Sequence, residues 1–433
     1  MADSTSALKT IWADESVLLL AEITQARLLK TDATHRTVSP AVTLARILPL
    51  APALGVTRLA NITGLDTIGI PVVVACRPNS RGLATNQGKG FDLAAAKASA
   101  LMEAAERQQA ERVALPLHMA SMLDLESATR VIDVELLPKA PGPTFDKSCP
   151  LLWVPGVDLL QREPNPVWVP YEVVHTDWSI SPPPSTGSFA TTANGLASGN
   201  HVVEAVAHGL CEAIERDAVA VLSYKGESAV DVRRVDLATI DDPACLELLR
   251  RFEHVGVRVA VWDATSDVEV AVFIALVVNE DIDYPGALYA ARGSGCHPNR
   301  GVALVRAMME AIQSRLSFIA GSRDDMLRSE YEYISSSEMA EHTRVVMAKP
   351  QPWSFHEAPN FEAASVEDDL EHILDHLQAA GLDSAVIVDL RQPEYGIPVV
   401  RVLVPGLEGD SEEGALPGPR ARHALFNGLR GRS

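Results

Sequence analysis

Cysteine is scarce in this 433-residue chain: Cys76, Cys149, Cys211, Cys245 and Cys296 make an odd number with no CxxC spacing. That excludes a disulfide framework and a structural zinc site, and the five read as reduced, mostly packing thiols. No uninterrupted apolar run approaches the roughly 18 residues of a membrane-spanning helix, and no charged start leads into an apolar core and cleavage site. The expectation is a cytoplasmic protein with no membrane partner. Basic residues are also few: 37 Lys and Arg against 57 Asp and Glu leave a formal net charge of −20. Neutralising a phosphate backbone takes clustered Lys and Arg, so nucleic acid is excluded as a non-specific partner. Neither GxxxxGK[ST] nor GxGxxG in a strand-turn-helix context occurs, so a P-loop or Rossmann nucleotide site is not expected.

What is present is apolar residues, 47% of the chain and enough for one large core or two moderate ones. Val17, Leu20, Ile23 and Leu28 recur at helical spacing within an N-terminal segment, residues 1–60. β-Branched apolar runs at Ile70–Ala75, Val257–Val261, Val270–Val278, Ala385–Val388 and Val399–Val404 predict strands. Long helical patterns separate them, so the fold class is α/β, mixed with α+β. Ala140-Pro-Gly-Pro-Thr144 and Ser181-Pro-Pro-Pro-Ser-Thr-Gly187 read as surface connections. From Glu408 the chain is rich in Gly, Pro and charge. The expected organisation is a helical segment over 1–60, a main domain over 61–407 and a flexible tail over 408–433.

Three segments resemble one another: Ser99-Ala-Leu-Met-Glu103-Ala-Ala-Glu106-Arg107, His208-Gly-Leu-Cys-Glu212-Ala-Ile-Glu215-Arg216 and Arg306-Ala-Met-Met-Glu310-Ala-Ile-Gln313-Ser-Arg315. Each reads as a helix with polar positions at i, i+4 and i+7, which share one face. Two carboxylates a turn apart repel unless something positive lies between them, and a divalent cation serves. Glu103 with Glu106, and Glu212 with Glu215, offer four oxygen ligands from two helices, a hard donor set suited to Mg²⁺. Arg107, Arg216 and Arg315 add donors for phosphate. A single such segment has an ordinary reading as a salt-bridged surface helix. Three copies in matching register favour a site, because surface faces have no reason to recur.

Gly-rich stretches precede all three helices: Gln87-Gly-Lys-Gly90, Asn194 to Asn200, and Gly293-Ser-Gly-Cys-His297. They read as turns, with Asp92, Asn200 and Asn299 as N-caps. From Asn200 to Glu212 a helix rises about 18 Å, so such a turn is too far from its own helix's carboxylates to share their ligand. It can instead reach a neighbouring helix's ligands. Cys296-His297 is a poor nucleophile and base, because adjacent side chains diverge. His35, Arg36 and Thr43 can reach a phosphate or form a polar cap. Arg323-Asp324-Asp325 after Gly321 reads as a helix end that can also pair with Arg315. His118, His175 and His342 show no metal-ligand spacing.

Ser99-x3-Glu103-x2-Glu106-Arg107, Glu212-x2-Glu215-Arg216-Asp217 after NGLASGN, and Glu310-x2-Gln313-x-Arg315 before GSRDD resemble the three nucleotide-site signatures of the YcaO family. The resemblance runs from THRTVSP at Thr34 through TGLDTIGIPVV and SRGLATNQGKG to GIPVVRVLVPGLEG near residue 407. It implies the YcaO-like fold, with helices supplying an ATP and Mg²⁺ site unrelated to the P-loop. Glu103, Glu106, Glu212 and Glu215 would then be magnesium ligands. Arg36, Thr43, Ser99, Arg107, Asn200, Glu204, Arg216, Gln313 and Arg315 would contact nucleotide, with Arg216 and Arg315 acting in catalysis. The implied reaction passes the γ-phosphoryl group to a backbone amide oxygen of a peptide or protein substrate after a nucleophile attacks the carbonyl carbon. It works by positioning and charge neutralisation. The last residues, Phe426 to Ser433, lack the Pro-rich tail common in azoline-forming members. TGLDTIGIPVV, NGLASGN and IPVVRVLVPGLEG are more similar to members paired with TfuA proteins. The resemblance therefore implies thioamide formation with a TfuA-like partner and an external sulfur source, and a homodimer. The alternatives are an azoline-forming cyclodehydratase and a non-catalytic nucleotide-binding partner of another enzyme.

Overall fold

The computed structural model describes residues 16–26, 28–30, 35–161, 166–179, 186–279, 290–409 and 414–430. The connection expected at Ser181–Gly187 falls largely outside them, as do Thr34 and residues 431–433. The chain divides into two compact units, one from Met1–Ser39, Ala105–Ala220 and Ala363–Phe426, the other from Pro40–Ala104, Val221–Glu362 and Asn427–Ser433.

In the first unit seven strands form one sheet in the spatial order Arg130–Val131, Val167–Pro170, Leu151–Asp158, Val386–Asp389, Val399–Leu403 and Leu196–Ser198, with His118–Ala120 beside Leu151–Asp158. All ladders but one are antiparallel; Arg130–Val131 pairs parallel with Val167–Pro170. Val386, Ile387, Val388, Val399 and Val400 are each buried, and their continuous apolar run reflects a sheet covered on both faces. Close to the sheet runs helix Val202–Lys225, whose Gly209 sits where an added Cβ would lie 2.7 Å from Val402. In the N-terminal segment residues 16–25 are helical; Leu19 and Ile23 are buried, whereas Val17, expected on the packed face, is 47% exposed. Beyond Glu408, where composition suggests mobility, helix Pro419–Arg430 forms, with Ala421 and Ala424 buried.

The second unit holds two antiparallel three-stranded sheets. One comprises Arg58–Asn61, Val72–Cys76 and Thr85–Lys89; the other comprises Val257–Asp263, Val272–Asn279 and Ala290–Cys296. Phe252, Phe273 and Phe355 anchor its core together with Leu304, Met308 and Ile312 of helix Arg300–Ala320. Burying each such side chain contributes about 1.5–3 kcal/mol. That helix starts at Asn299, whose side chain accepts from the Val302 amide, and ends at Gly321, which takes the left-handed conformation at φ 54°.

Candidate functional site

The three similar segments lie on three helices: α1, Leu93–Glu111; α2, Val202–Lys225; and α3, Arg300–Ala320. The Gly-rich stretches before them are not turns alone. Thr85–Lys89, Leu196–Ser198 and Ala290–Cys296 are strands, each followed by a short turn and its helix. Glycine is needed there because helix backbone packs directly on strand or turn. A Cβ on Gly88 would lie 2.1 Å from the Ala100 amide nitrogen, on Gly293 2.2 Å from that of Ala311, and on Gly199 2.6 Å from that of Ala205. The strand before α1 doubles back along it, so the Gln87 amide donates to Glu103 Oε2 at 3.0 Å despite lying 16 residues earlier. The helical rise that seemed to separate a Gly-rich stretch from its own helix's carboxylates is cancelled by that antiparallel return.

In the first unit, Glu106 Oε1 accepts from the Ser198 amide at 2.8 Å and from its hydroxyl at 2.7 Å. Glu204 is 3% exposed and gathers Arg36 Nη1 at 3.1 Å, Thr37 Oγ1 at 2.7 Å, the Asn200 amide at 3.3 Å and Asn200 Nδ2 at 3.4 Å. Asn200 is therefore not the N-cap of α2. The Val203 amide donates to His201 Nδ1 at 3.3 Å, and Asn200 is drawn to Glu204 instead. Asp92 and Asn299 do cap α1 and α3. Glu212 is half-buried, Glu215 is buried, and Arg216 Nη1 lies 4.0 Å from Glu215 Oε1. Arg107 keeps a buried Nη1 with no hydrogen-bond partner among the described residues, and its guanidinium lies 6.0 Å from the ring centre of the exposed Trp178.

In the second unit, Glu103 has no ion pair among the described residues, although it is only half exposed and one turn from Glu106 on the same helix. The hydroxyl of Ser317, on α3, donates to Gln87 Oε1. Lys89 Nζ meets Glu310 at 3.2 Å. Arg315 is buried and pairs with buried Asp66 at 3.3 Å. Burial pulls the guanidinium below its ordinary range while Asp66 opposes that shift. Within Arg323-Asp324-Asp325, Arg323 pairs with Asp325, and Asp324 accepts from the Ala84 amide at 3.2 Å. Ser99 and Gln313 are half-buried on α1 and α3, and Thr43 is buried within helix Pro40–Ile47. His297 Nδ1 accepts from the Asn299 amide, and the neighbouring Cys296 is fully buried.

Among the described residues, no three His, Cys, Asp or Glu side chains are gathered into one metal-ligating group. The carboxylates of Glu103 and Glu106 are held instead by main-chain and hydroxyl donors. The Gln87 amide is a neutral donor and leaves Glu103 without a counter-charge among the described residues, so this carboxylate suits a hard cation, and the buried Nη1 of Arg107 suits an anion.

Comparison with known proteins supplies the context. The family model for YcaO cyclodehydratases, described as ATP- and Mg²⁺-binding, matches residues 87–408. An uncharacterized protein in the tfuA 3′ region of Rhizobium leguminosarum bv. trifolii is 35% identical over 384 residues, which covers 88% of this chain and 90% of that protein. An uncharacterized protein of Methanothermobacter thermautotrophicus is 35% identical over 397 residues, covering 90% and 99%. The structure of YcaO from Methanopyrus kandleri bound with AMPPCP and Mg²⁺ matches with a TM-score of 0.66 at 23% identity, covering 90% of this chain and 98% of the other. A heterocyclase in complex with substrate and cofactor matches with a TM-score of 0.72 at 23% identity; the match covers 88% of this chain and 54% of the heterocyclase. At these identities the two solved structures speak for the fold.

Proposed function

Because the chain belongs to the YcaO family, an ATP- and Mg²⁺-binding family, we propose that it activates a backbone amide of a peptide or protein for replacement of its carbonyl oxygen by sulfur. The observation that carries the reading is Glu103, a half-buried carboxylate with no ion pair among the described residues, one turn from Glu106. Like charges at that spacing are unfavourable without a cation, and Mg²⁺ meets the demand. Glu103, Glu106, Glu212 and Glu215 are the proposed magnesium ligands. Ser99, Arg107, Asn200, Gln313, Arg36 and Thr43 are the proposed nucleotide contacts, Glu204 orienting Arg36 and Asn200. Magnesium-bound ATP supplies the phosphoryl group that turns a poor leaving group into a good one. Arg216 and Arg315 place fixed positive charge where negative charge develops, and Asp66 holds Arg315 in one orientation.

Thioamide formation is favoured over azoline formation by the relative in the tfuA 3′ region, which also supports a TfuA-like partner. Two experiments test the reading. Glu212→Gln is expected to abolish ATP-dependent turnover with the fold intact, and unchanged turnover would refute the metal assignment. Incubation with ATP, a TfuA protein, sulfide and candidate precursor peptides should yield a product heavier by the exchange of oxygen for sulfur. A product lighter by one water would establish azoline formation instead.

A further inference from the structure

Asp217 directly follows Arg216 on α2 and is fully buried. At 3.6 residues per turn it points about 140–160° away from Glu212 and Glu215, on the opposite side of the helix. There its Oδ1 accepts from Arg420 Nε at 2.8 Å and from the Glu408 amide at 3.0 Å, and its Oδ2 accepts from Arg420 Nη2 at 2.9 Å. Arg420 is the second residue of helix Pro419–Arg430. The start of that helix is fixed by the buried Glu408, whose carboxylate accepts from the Gly418 amide at 2.6 Å and the Ala421 amide at 2.9 Å. Glu408 thus ties the start of that helix, and Asp217 ties both Glu408 and Arg420 to the back of α2.

The same C-terminal stretch begins with strand Val399–Leu403, which pairs with Leu196–Ser198, the strand whose Ser198 holds Glu106. One segment therefore touches the support of Glu106 and the far face of the helix bearing Glu212, Glu215 and Arg216. Stability alone does not call for ions here, because apolar packing stabilises a buried contact about as well as a buried ion pair. A bidentate pair does what apolar packing does not: it fixes the roll of the helix to one angle.

We infer that Arg420, acting through Asp217, is a positioning residue for the nucleotide site, and that the C-terminal helix sets the orientation of α2. The inference rests on the reading that Glu212, Glu215 and Arg216 serve magnesium-bound ATP. In the full chain, Arg420→Gln leaves Asp217 buried without its partner and lowers stability as well as function. The informative variant is the neutral pair Asp217→Asn with Arg420→Met, which removes both charges and keeps the volume. It is expected to fold, to show faster amide hydrogen exchange over residues 212–217 without ATP, and to bind ATP with Mg²⁺ about 10- to 100-fold more weakly. Arg420→Lys, which keeps the charge but loses the fork, is expected to fall between the neutral pair and wild type. Wild-type exchange and wild-type ATP affinity in the neutral pair would overturn the inference. If the unaltered chain binds no ATP, the functional reading fails, and the exchange rates still decide whether Arg420 orients α2.

Discussion

Glu204 draws its partners from far along the chain: Arg36 and Thr37 stand 168 and 167 positions away, and Asn200 only four. A buried carboxylate is tolerated only when its oxygens are occupied, and here four donors occupy them. Asp66 does the complementary task for Arg315. Asp66→Asn keeps the shape and removes the charge, so ATP-dependent turnover should fall about 10- to 100-fold, with Asp66→Glu recovering part of it. Steady-state kinetics beside a melting curve checks this, and full turnover in Asp66→Asn would show that the pair serves packing alone. His175 gives a pH signature. Burial holds its imidazole below the ordinary value, against the pull of Asp177, and its ring stacks on Tyr171. The unfolded chain then binds the proton more readily, so this contribution is complete above about pH 6.5 and is lost as the pH falls below it. His372, also held low, acts in the same sense. Urea unfolding from about pH 7.5 to about pH 5.5 should show a smaller loss in His175→Gln than in the wild type. At this scale the acidic and basic motifs were legible in the sequence. The pairing of Arg315 with Asp66 was not, because a lone Asp in TGLDTIGIPVV carries no spacing signal that points to a residue on a distant helix.

Each of α1, α2 and α3 follows a short strand, and each strand-helix step carries glycine where helix backbone meets it. The three similar segments are thus echoed by a repeat of strand, turn and helix. Gly293→Ala drives a methyl against the Ala311 main chain, which cannot move as a side chain does, so it should destabilise by about 1–3 kcal/mol or more. A melting temperature equal to wild type would show that the helix can shift aside. Glycine also hid these strands from a sequence reading. Thr85–Lys89 and Ala290–Cys296 contain Gly where strands ordinarily have branched residues, and Leu151–Asp158 is interrupted by Pro155 and Gly156. The branched runs at 70–75, 257–261, 270–278, 385–388 and 399–404 carried a clear signal, and strands form over 72–76, 257–263, 272–279, 386–389 and 399–403.

The first compact unit draws on three separate stretches of the chain, and the second takes the intervals between them together with 427–433. Hydrophobic patterning is read over windows of a dozen residues, so it finds elements and not which distant segments share a core. The fold class was legible for that reason, and the assembly of its units was not. Net charge acts at this scale as well. At −20 the molecule repels an anionic nucleotide, so the proposed binding needs local positive charge, which the proposed contacts Arg107 and Arg216 would supply together with a divalent cation. Equilibrium titration of ATP, with and without Mg²⁺, into the wild type and into Glu103→Gln, Glu106→Gln, Glu212→Gln and Glu215→Gln tests this most directly. The prediction is tight binding by the wild type only when Mg²⁺ is present, and about 10- to 100-fold weaker binding in each variant at unchanged melting temperature. Four variants that bind ATP as the wild type does, with the same dependence on Mg²⁺, would contradict it.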